Sequence, residues 1–372
     1  MIKGPITFKF EKLVERKDSG LVPEAALAAF KKKADKLLDE PMLCVTDKKL
    51  KAPSGNVHEY MSCGLYWWPN PDTPNGLPYV NRDGVPNPDS NDRNSPRRLF
   101  YKIKDLALAE LYFGGGAYAA CAERQLYDWF LNPETYMEPN ARYAQAIPGY
   151  CEGRSTGLID FAVSYMLFDG VGILECLGKI SEDIVLGVKN WFSRFADWML
   201  THENGIGMGN ADNNIGVWHD LQILAMAVFC DRQQLVKNIC TTAYRRRFLT
   251  VVKPDGSQPT ELDRSKPMHY SIFTLDALMG IANIASRLGY PEYWGVDGVR
   301  GKNVITSAVD FIYPCIKHPE SSPYSDLLNG KYGPSLAHLL YRVALRTGDM
   351  KYRELADEFG VTDAQWLLEP MP

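Results

Sequence analysis

Apolar residues recur along most of this chain at helical spacing. Ile103, Leu106 and Leu111 keep it, and Trp191, Phe195, Trp198 and Met199 fall at i, i+4, i+7 and i+8. Leu275, Leu278, Met279 and Ala282 repeat the pattern, as do Leu336, Leu339, Leu340 and Val343. The stretch Leu221–Phe229 is apolar on all sides, as a helix covered on two faces would be. Alternation with a period of two, the mark of a half-buried strand, is scarce. Connections rich in Gly, Pro, Asn and Asp separate the helices, and three are long, at about 44–98, 131–156 and 201–216. No composition shift marks a domain boundary, and no internal repeat is evident. Many helices, no sheet and long loops between helix pairs predict an all-α fold, either an α/α toroid (an incomplete α/α barrel) or an α-solenoid. The expectation is a single domain over 1–372 with an N-terminal arm of about 1–20, its long loops forming a groove at one end.

Composition narrows the function by exclusion. At 372 residues, 45% hydrophobic and 23% charged, the chain can bury a large core. A formal net charge of −4 gives no support for a nucleic-acid partner, and an anionic ligand would need a local cluster of Arg, Lys or amide donors. No run approaches 18 consecutive apolar residues, so no membrane partner is expected. Met1–Glu15 lacks the apolar stretch and small-residue cleavage site of a secretory signal. The eight cysteines form no CxxC pair, and Cys121, Cys176 and Cys230 sit in apolar helical contexts that suit free buried thiols. No Asn-x-Ser/Thr glycosylation site occurs. There is no GxSxG, no P-loop, no dinucleotide-binding glycine pattern and no metal-ligand spacing, so neither cofactor nor metal is expected.

The chemistry-bearing residues gather in four segments. The first runs from Tyr60 to Pro71 and on to Tyr79, with Tyr66, Trp67 and Trp68 in succession and His58 just ahead. Pro69, Pro71, Pro74 and Pro78 each remove an amide donor, so it is not a regular helix. Exposed Tyr and Trp rings on an ordered loop suit carbohydrate, whose apolar C–H faces they cover while their O–H and N–H reach polar partners. The alternative is that the Trp pair plugs one end of the core. The second segment spans Asn140 to Arg154, with Arg142, Tyr143 and Gln145. The third is Asn210–Asp220, with Asn213, Asn214 and His219, and the fourth is Glu261–Tyr270, with Arg264 and His269. A lone His such as His58, His219 or His269 is more often structural than a ligand. Read without further context, Arg264 would pair with Glu261 or Asp263, and Tyr270 would be a half-buried helix residue.

The motifs YMSCGLYWWPNPDTPNGLPYVNRDG, LNPETYMEPNARYAQAIPG, NADNNIGVWHDLQ and PDGSQPTELDRSKPMHYSIF resemble those of the alginate-lyase domain family, over about Asp39–Pro314. That family includes lyases acting on mannuronan and glucuronan. The resemblance implies an α/α toroid with a substrate groove and metal-independent β-elimination at a 4-linked uronic acid. Its partner would be an acidic polysaccharide or oligosaccharide, met outside the cell or in the periplasm. In this chemistry donors neutralise the carboxylate beside C5 so that an enolate-like intermediate can form. A base then takes the C5 proton and an acid protonates the leaving O4. By resemblance Asn214 is the carboxylate-binding Asn, Arg264 is the Arg of the EL-x-R motif, and Tyr270 is the base and acid. Tyr66, Trp67, Trp68, Tyr143, Gln145, Arg154 and Asn213 are the expected substrate-binding residues.

One position departs from the family. Where the family reads Asn-Asn-His, this chain reads Asn213-Asn214-Ile215, and Ile can neither donate nor titrate. Three readings follow. His219, four residues on and on the same helix face, stands in for the missing group. His269, beside Tyr270, supplies it instead. Or the chain has altered specificity or little lyase activity. Mannuronate and glucuronate place H5 and O4 on the same side, within reach of one Tyr, whereas guluronate needs groups on opposite faces. Two further classes remain open: a non-catalytic binder of acidic glycans, and a glycoside hydrolase using two of Asp160, Asp212 and Asp220.

Overall fold

The computed structural model of the chain describes residues 2–82, 84–88, 94–324, 326, 333–360 and 367. Asp83, within the aromatic segment, lies outside them. The helices in chain order are α1 Phe10–Asp18, α2 Glu24–Asp39, α3 Ser95–Phe113, α4 Ala117–Phe130, α5 Tyr165–Cys176, α6 Glu182–Thr201, α7 Glu203–Asn210 and α8 Asn214–Phe229. They continue with α9 Gln233–Ala243, α10 Leu249–Val251, α11 Pro259–Leu262, α12 Pro267–Arg287, α13 Val304–Lys317, α14 Gly333–Thr347 and α15 Met350–Phe359. A π-helical turn, Tyr244–Phe248, joins α9 to α10. Every periodic segment read from the sequence lies on one of these helices, and its apolar residues are buried apart from the half-buried Trp198.

Strand among the described residues is confined to two small ladders, which the scarce alternation did not signal. β1 Met61–Cys63 pairs in parallel with β4 Tyr143–Ala146, and β2 Trp67–Trp68 pairs antiparallel with β3 Val80–Asn81. At two to four residues each, these strands are too short to show a period.

Contacts divide the chain into two compact units. The first holds 1–6, 34–211 and 222–236, and the second holds 7–33, 212–221 and 237–372. In the first, an aromatic cluster forms the core: Phe229, Phe168, Phe192, Trp191, Phe195 and Phe161 follow one another at ring distances of 4.5–5.2 Å. The N-terminal segment is tied to α5, where Asp169 Oδ1 accepts the Ile6 N–H at 2.7 Å. The segment Ser155–Cys176 is long and apolar enough to cross a membrane by composition, but 94% of its most apolar window is buried inside the protein. Cys121 is buried as expected, whereas Cys176, at the end of α5, is exposed.

The stretch 201–216 reads as a loop because of Gly205, Gly207 and Gly209, yet half of it is α7. The glycines serve close approach rather than a turn. A methyl on Gly205 would lie 1.9 Å from Met199 O, and one on Gly207 would lie 2.3 Å from Ser155 Oγ. The His202 side chain caps the helix by accepting the Asn204 N–H at 3.2 Å.

In the second unit, α8 lies directly against α12. Gly280 lets Leu221 in, since a methyl there would come within 2.7 Å of Leu221 Cδ2, and the Trp218 and Phe273 rings meet at 4.7 Å. Pro267 opens α12 without an N–H to satisfy, and the Asp326 carboxylate accepts the next two, from Met268 at 3.4 Å and His269 at 3.0 Å.

Candidate active site

Of the residues singled out in the sequence, Asn213, Asn214, His219, Arg264, His269 and Tyr270 belong to the second unit. Tyr66, Trp67, Trp68, Tyr143, Gln145 and Arg154 belong to the first.

In the second unit Asn213 precedes α8, and its Oδ1 accepts the Ile215 N–H at 3.1 Å. Asn214 opens the helix and is buried. Its backbone N–H donates to Glu261 Oε1 at 2.6 Å and its Nδ2 donates to Glu261 Oε2 at 2.9 Å. Glu261, on α11, is fully enclosed, and burial raises its carboxyl above the usual range against the pull of Asn214 and the charge of Arg264. Arg264 follows α11, and its guanidinium carbon stands 3.9 Å from the centre of the Tyr270 ring. A cation on a ring face fixes both groups. His269 meets Tyr270 edge-on at 5.1 Å and stacks on Phe273 at 6.2 Å. Ile215 is partly exposed beside Asn214.

His219 is buried one helical turn beyond Ile215. Its Nδ1 lies 3.1 Å from Asp220 Oδ1, and Asp220 is in turn clamped by the buried Arg247, Nε to Oδ2 at 2.8 Å and Nη2 to Oδ1 at 3.1 Å. Arg247 comes from the π-helical turn, whose extra residue per turn re-aims side chains. Burial would raise the Asp220 carboxyl, but the bonds from His219 and Arg247 and their charges hold it below the ordinary range. An ionised carboxylate only accepts, so the His219 Nδ1 facing it carries a hydrogen.

The first unit holds a second polar cluster. Asp160 accepts from Tyr60 Oη at 2.9 Å, Ser62 Oγ at 2.8 Å and Gln145 Nε2 at 2.8 Å. With Nε2 committed, Gln145 Oε1 faces Arg154 Nη2 at 3.0 Å, and its backbone oxygen accepts from Arg154 Nε at 3.1 Å. Gln145 holds φ 49°, a left-handed conformation that costs a side-chain-bearing residue about 1–2 kcal/mol. Trp67 packs edge-on to Tyr150 at 5.6 Å, while Trp68 donates Nε1 to Val85 O at 3.0 Å and carries Arg82 over its ring at 5.1 Å. Both Trp rings and Tyr66 are part-exposed. Tyr143, buried like Gln145, differs in its surroundings, a small apolar cluster with Ala52, Met61 and Ala146.

Sequence reasoning passed over the groups that hold these side chains. Glu261 stood inside the quoted EL-x-R motif but was read as a partner of Arg264, Tyr60 and Ser62 stood inside the aromatic motif without an assigned role, and nothing in the sequence signalled Arg247. Asp160 and Asp220, candidates for a hydrolase pair, are each engaged in the clusters described above.

The sequence profile of the alginate lyase family matches residues 44–322. An alginate lyase from Bacteroides ovatus superposes with a TM-score of 0.92 at 30% identity, covering 99% of this chain and 100% of that one. Alginate lyase A1-III from Sphingomonas species A1 gives a TM-score of 0.58 at 17% identity, over 95% and 98% of the two chains. A variant of alginate lyase A1-III complexed with tetrasaccharide gives 0.62 at 17% identity, over 99% and 97%. At that identity the last two speak for the fold alone. No curated protein sequence matches the chain significantly. The fold is all-α, of the α/α-toroid type, and the protein is a polysaccharide lyase of uronic-acid glycans. The chain belongs to the alginate lyase family.

The two buried acids of the second unit predict opposite pH dependences. Asp220, held below the unfolded carboxylate value, adds stability that is present above that value and lost as pH falls through its folded one. Glu261, held above it, takes up its proton first in the folded state, so its contribution falls as pH rises between the two values. Asp220→Asn should cost about 3–5 kcal/mol by stranding the buried Arg247. It should also flatten the acid limb of the stability curve, as read by thermal unfolding across pH.

Proposed function

We propose that this lyase cleaves 4-linked mannuronate or glucuronate chains by metal-independent β-elimination, with Tyr270 as both base and acid. The observation that carries the reading is the Arg264 guanidinium lying 3.9 Å from the Tyr270 ring. Asn214 and Arg264 neutralise the substrate carboxylate, so negative charge can spread from C5 into it. The Tyr270 oxygen takes the C5 proton, the electron pair of that C–H bond becomes the C4–C5 double bond, and the C4–O4 bond breaks. The departing O4 receives the proton from Tyr270, which restores the phenolate. One residue can do both steps only where H5 and O4 lie on the same side, which favours mannuronate and glucuronate over guluronate. Tyr66, Trp67, Trp68 and Gln145 contact the sugar chain, and Arg154 meets a carboxylate.

The product's double bond, conjugated to the carboxylate, absorbs in the ultraviolet, so a panel of uronans tests the activity directly. Tyr270→Phe should abolish product formation while leaving oligosaccharide affinity nearly unchanged, because the phenol acts in the transition state. Retained turnover would move proton transfer to His219 or His269.

Ile215 directs the specificity of the same site. A buried or half-buried Ile is a poor neighbour for a charge that must be met by donors. We read it as a contact for a sugar ring presented differently from the family's usual substrate, with Asn213, Asn214 and Arg264 as the working donors. Ile215→His should therefore give no gain on mannuronan or glucuronan. A gain of about 10²-fold, the scale of one recovered donor, would mark the parent as a weakened lyase of ordinary specificity.

A further inference from the structure

Glu261 takes no part in the proton transfers proposed above, yet it is bonded to a group assigned to the substrate carboxylate. Both of its oxygens are taken by one residue, the Asn214 N–H at 2.6 Å and Nδ2 at 2.9 Å. A carboxylate only accepts, so it decides which end of the Asn214 amide faces inward. Nδ2 spends one hydrogen on Glu261 and keeps the second, together with Oδ1, for what lies beyond. Without that anchor the amide could rotate or exchange its two ends.

The short helix carrying Glu261 is itself fastened to the helix of Tyr270. Gln258, at the entry to α11, donates Nε2 to Ser271 O at 3.3 Å. The Thr274 hydroxyl, whose one hydrogen goes to Tyr270 O at 2.8 Å, also lies against the Glu261 carboxylate and helps offset its burial. Glu261 thus touches the first turn of α8 on one side and the first turns of α12 on the other.

Resting on the functional reading above, we infer that Glu261 is a positioning residue for the elimination, holding the Asn214 donor in register with Tyr270 and acting through Asn214 rather than on the substrate. An apolar residue would fill the same space without the cost of enclosing an acid. That cost is visible in the raised carboxyl, which Asn214 and Arg264 only partly offset.

The test is a double-mutant cycle of kcat on mannuronan and glucuronan, using Glu261→Gln, Asn214→Ala and the pair, with thermal unfolding of each protein. Glu261→Gln should lower kcat about 10- to 100-fold, less than the about 10²–10³-fold expected for deleting a donor outright. The pair should be no slower than Asn214→Ala alone, since a positioning residue has nothing left to position. A purely structural role would instead make the two losses multiply. That outcome, or a Glu261→Gln kcat within about twofold of the parent while Asn214→Ala is slow, would overturn the inference and leave the lyase reading intact. If Asn214→Ala matches the parent, the assignment of Asn214 fails and the inference fails with it. Should Glu261→Gln not fold, Glu261→Asp, which keeps an acceptor-only carboxylate, replaces it in the cycle under the same criterion of multiplying losses.

Discussion

A carboxylate can be enclosed only when something meets its oxygens, and in the second unit both oxygens of Glu261 are met by Asn214. Much else follows from that pair of bonds. They satisfy the first amide of α8, they fix the side chain at the head of that helix, and they hold α11 where Arg264 can lie over Tyr270. Losing either partner would leave a buried acid or a buried amide unpaired, at a cost of about 1–3 kcal/mol or more. The arrangement is stiff because its alternatives are expensive, which suits groups that must stabilise charge without reorganising as it forms.

The first unit solves a related problem with a different residue. Asp160 gathers Tyr60, Ser62 and Gln145, and through Gln145 it orients the half-buried Arg154. The left-handed backbone of Gln145 is sustained by these bonds, since its own N–H is accepted by Ser62 Oγ at 2.8 Å. A close fit surrounds it: a methyl on Gly153 would stand 1.9 Å from Arg142 O, and one on Gly157 would stand 2.3 Å from Ala144 O. In each unit a buried acid met by donors lies close to a half-buried Arg, through Gln145 in the first and within one motif in the second.

The helices were legible because their apolar spacing records burial on a local scale, and the buried rows of α6, α12 and α14 are those read from the sequence. Elements whose residues answer to distant backbone were not. α7 looks like a loop because its glycines make room for Met199 and Ser155, and β4 is a strand only because β1 lies beside it. The same divide runs through the site. Arg264 and Tyr270 could be named from their motif, six residues apart, but the side chains that fix the site are joined to it across long stretches of chain. Glu261 lies 47 residues from Asn214, and Asp326 lies 57 residues from the His269 amide it caps. Tyr143 shows the converse, since a residue inside a matching motif turned its ring into an apolar cluster.

Elimination and hydrolysis part ways at one hydrogen atom, the one on C5. Oligouronates deuterated at C5, incubated with the enzyme in ordinary water and analysed by mass spectrometry, report it directly. Elimination through Tyr270 predicts products unsaturated at the new non-reducing end that have lost the deuterium of that residue to solvent. Products that are saturated, carry an added water and keep their C5 deuterium would contradict it.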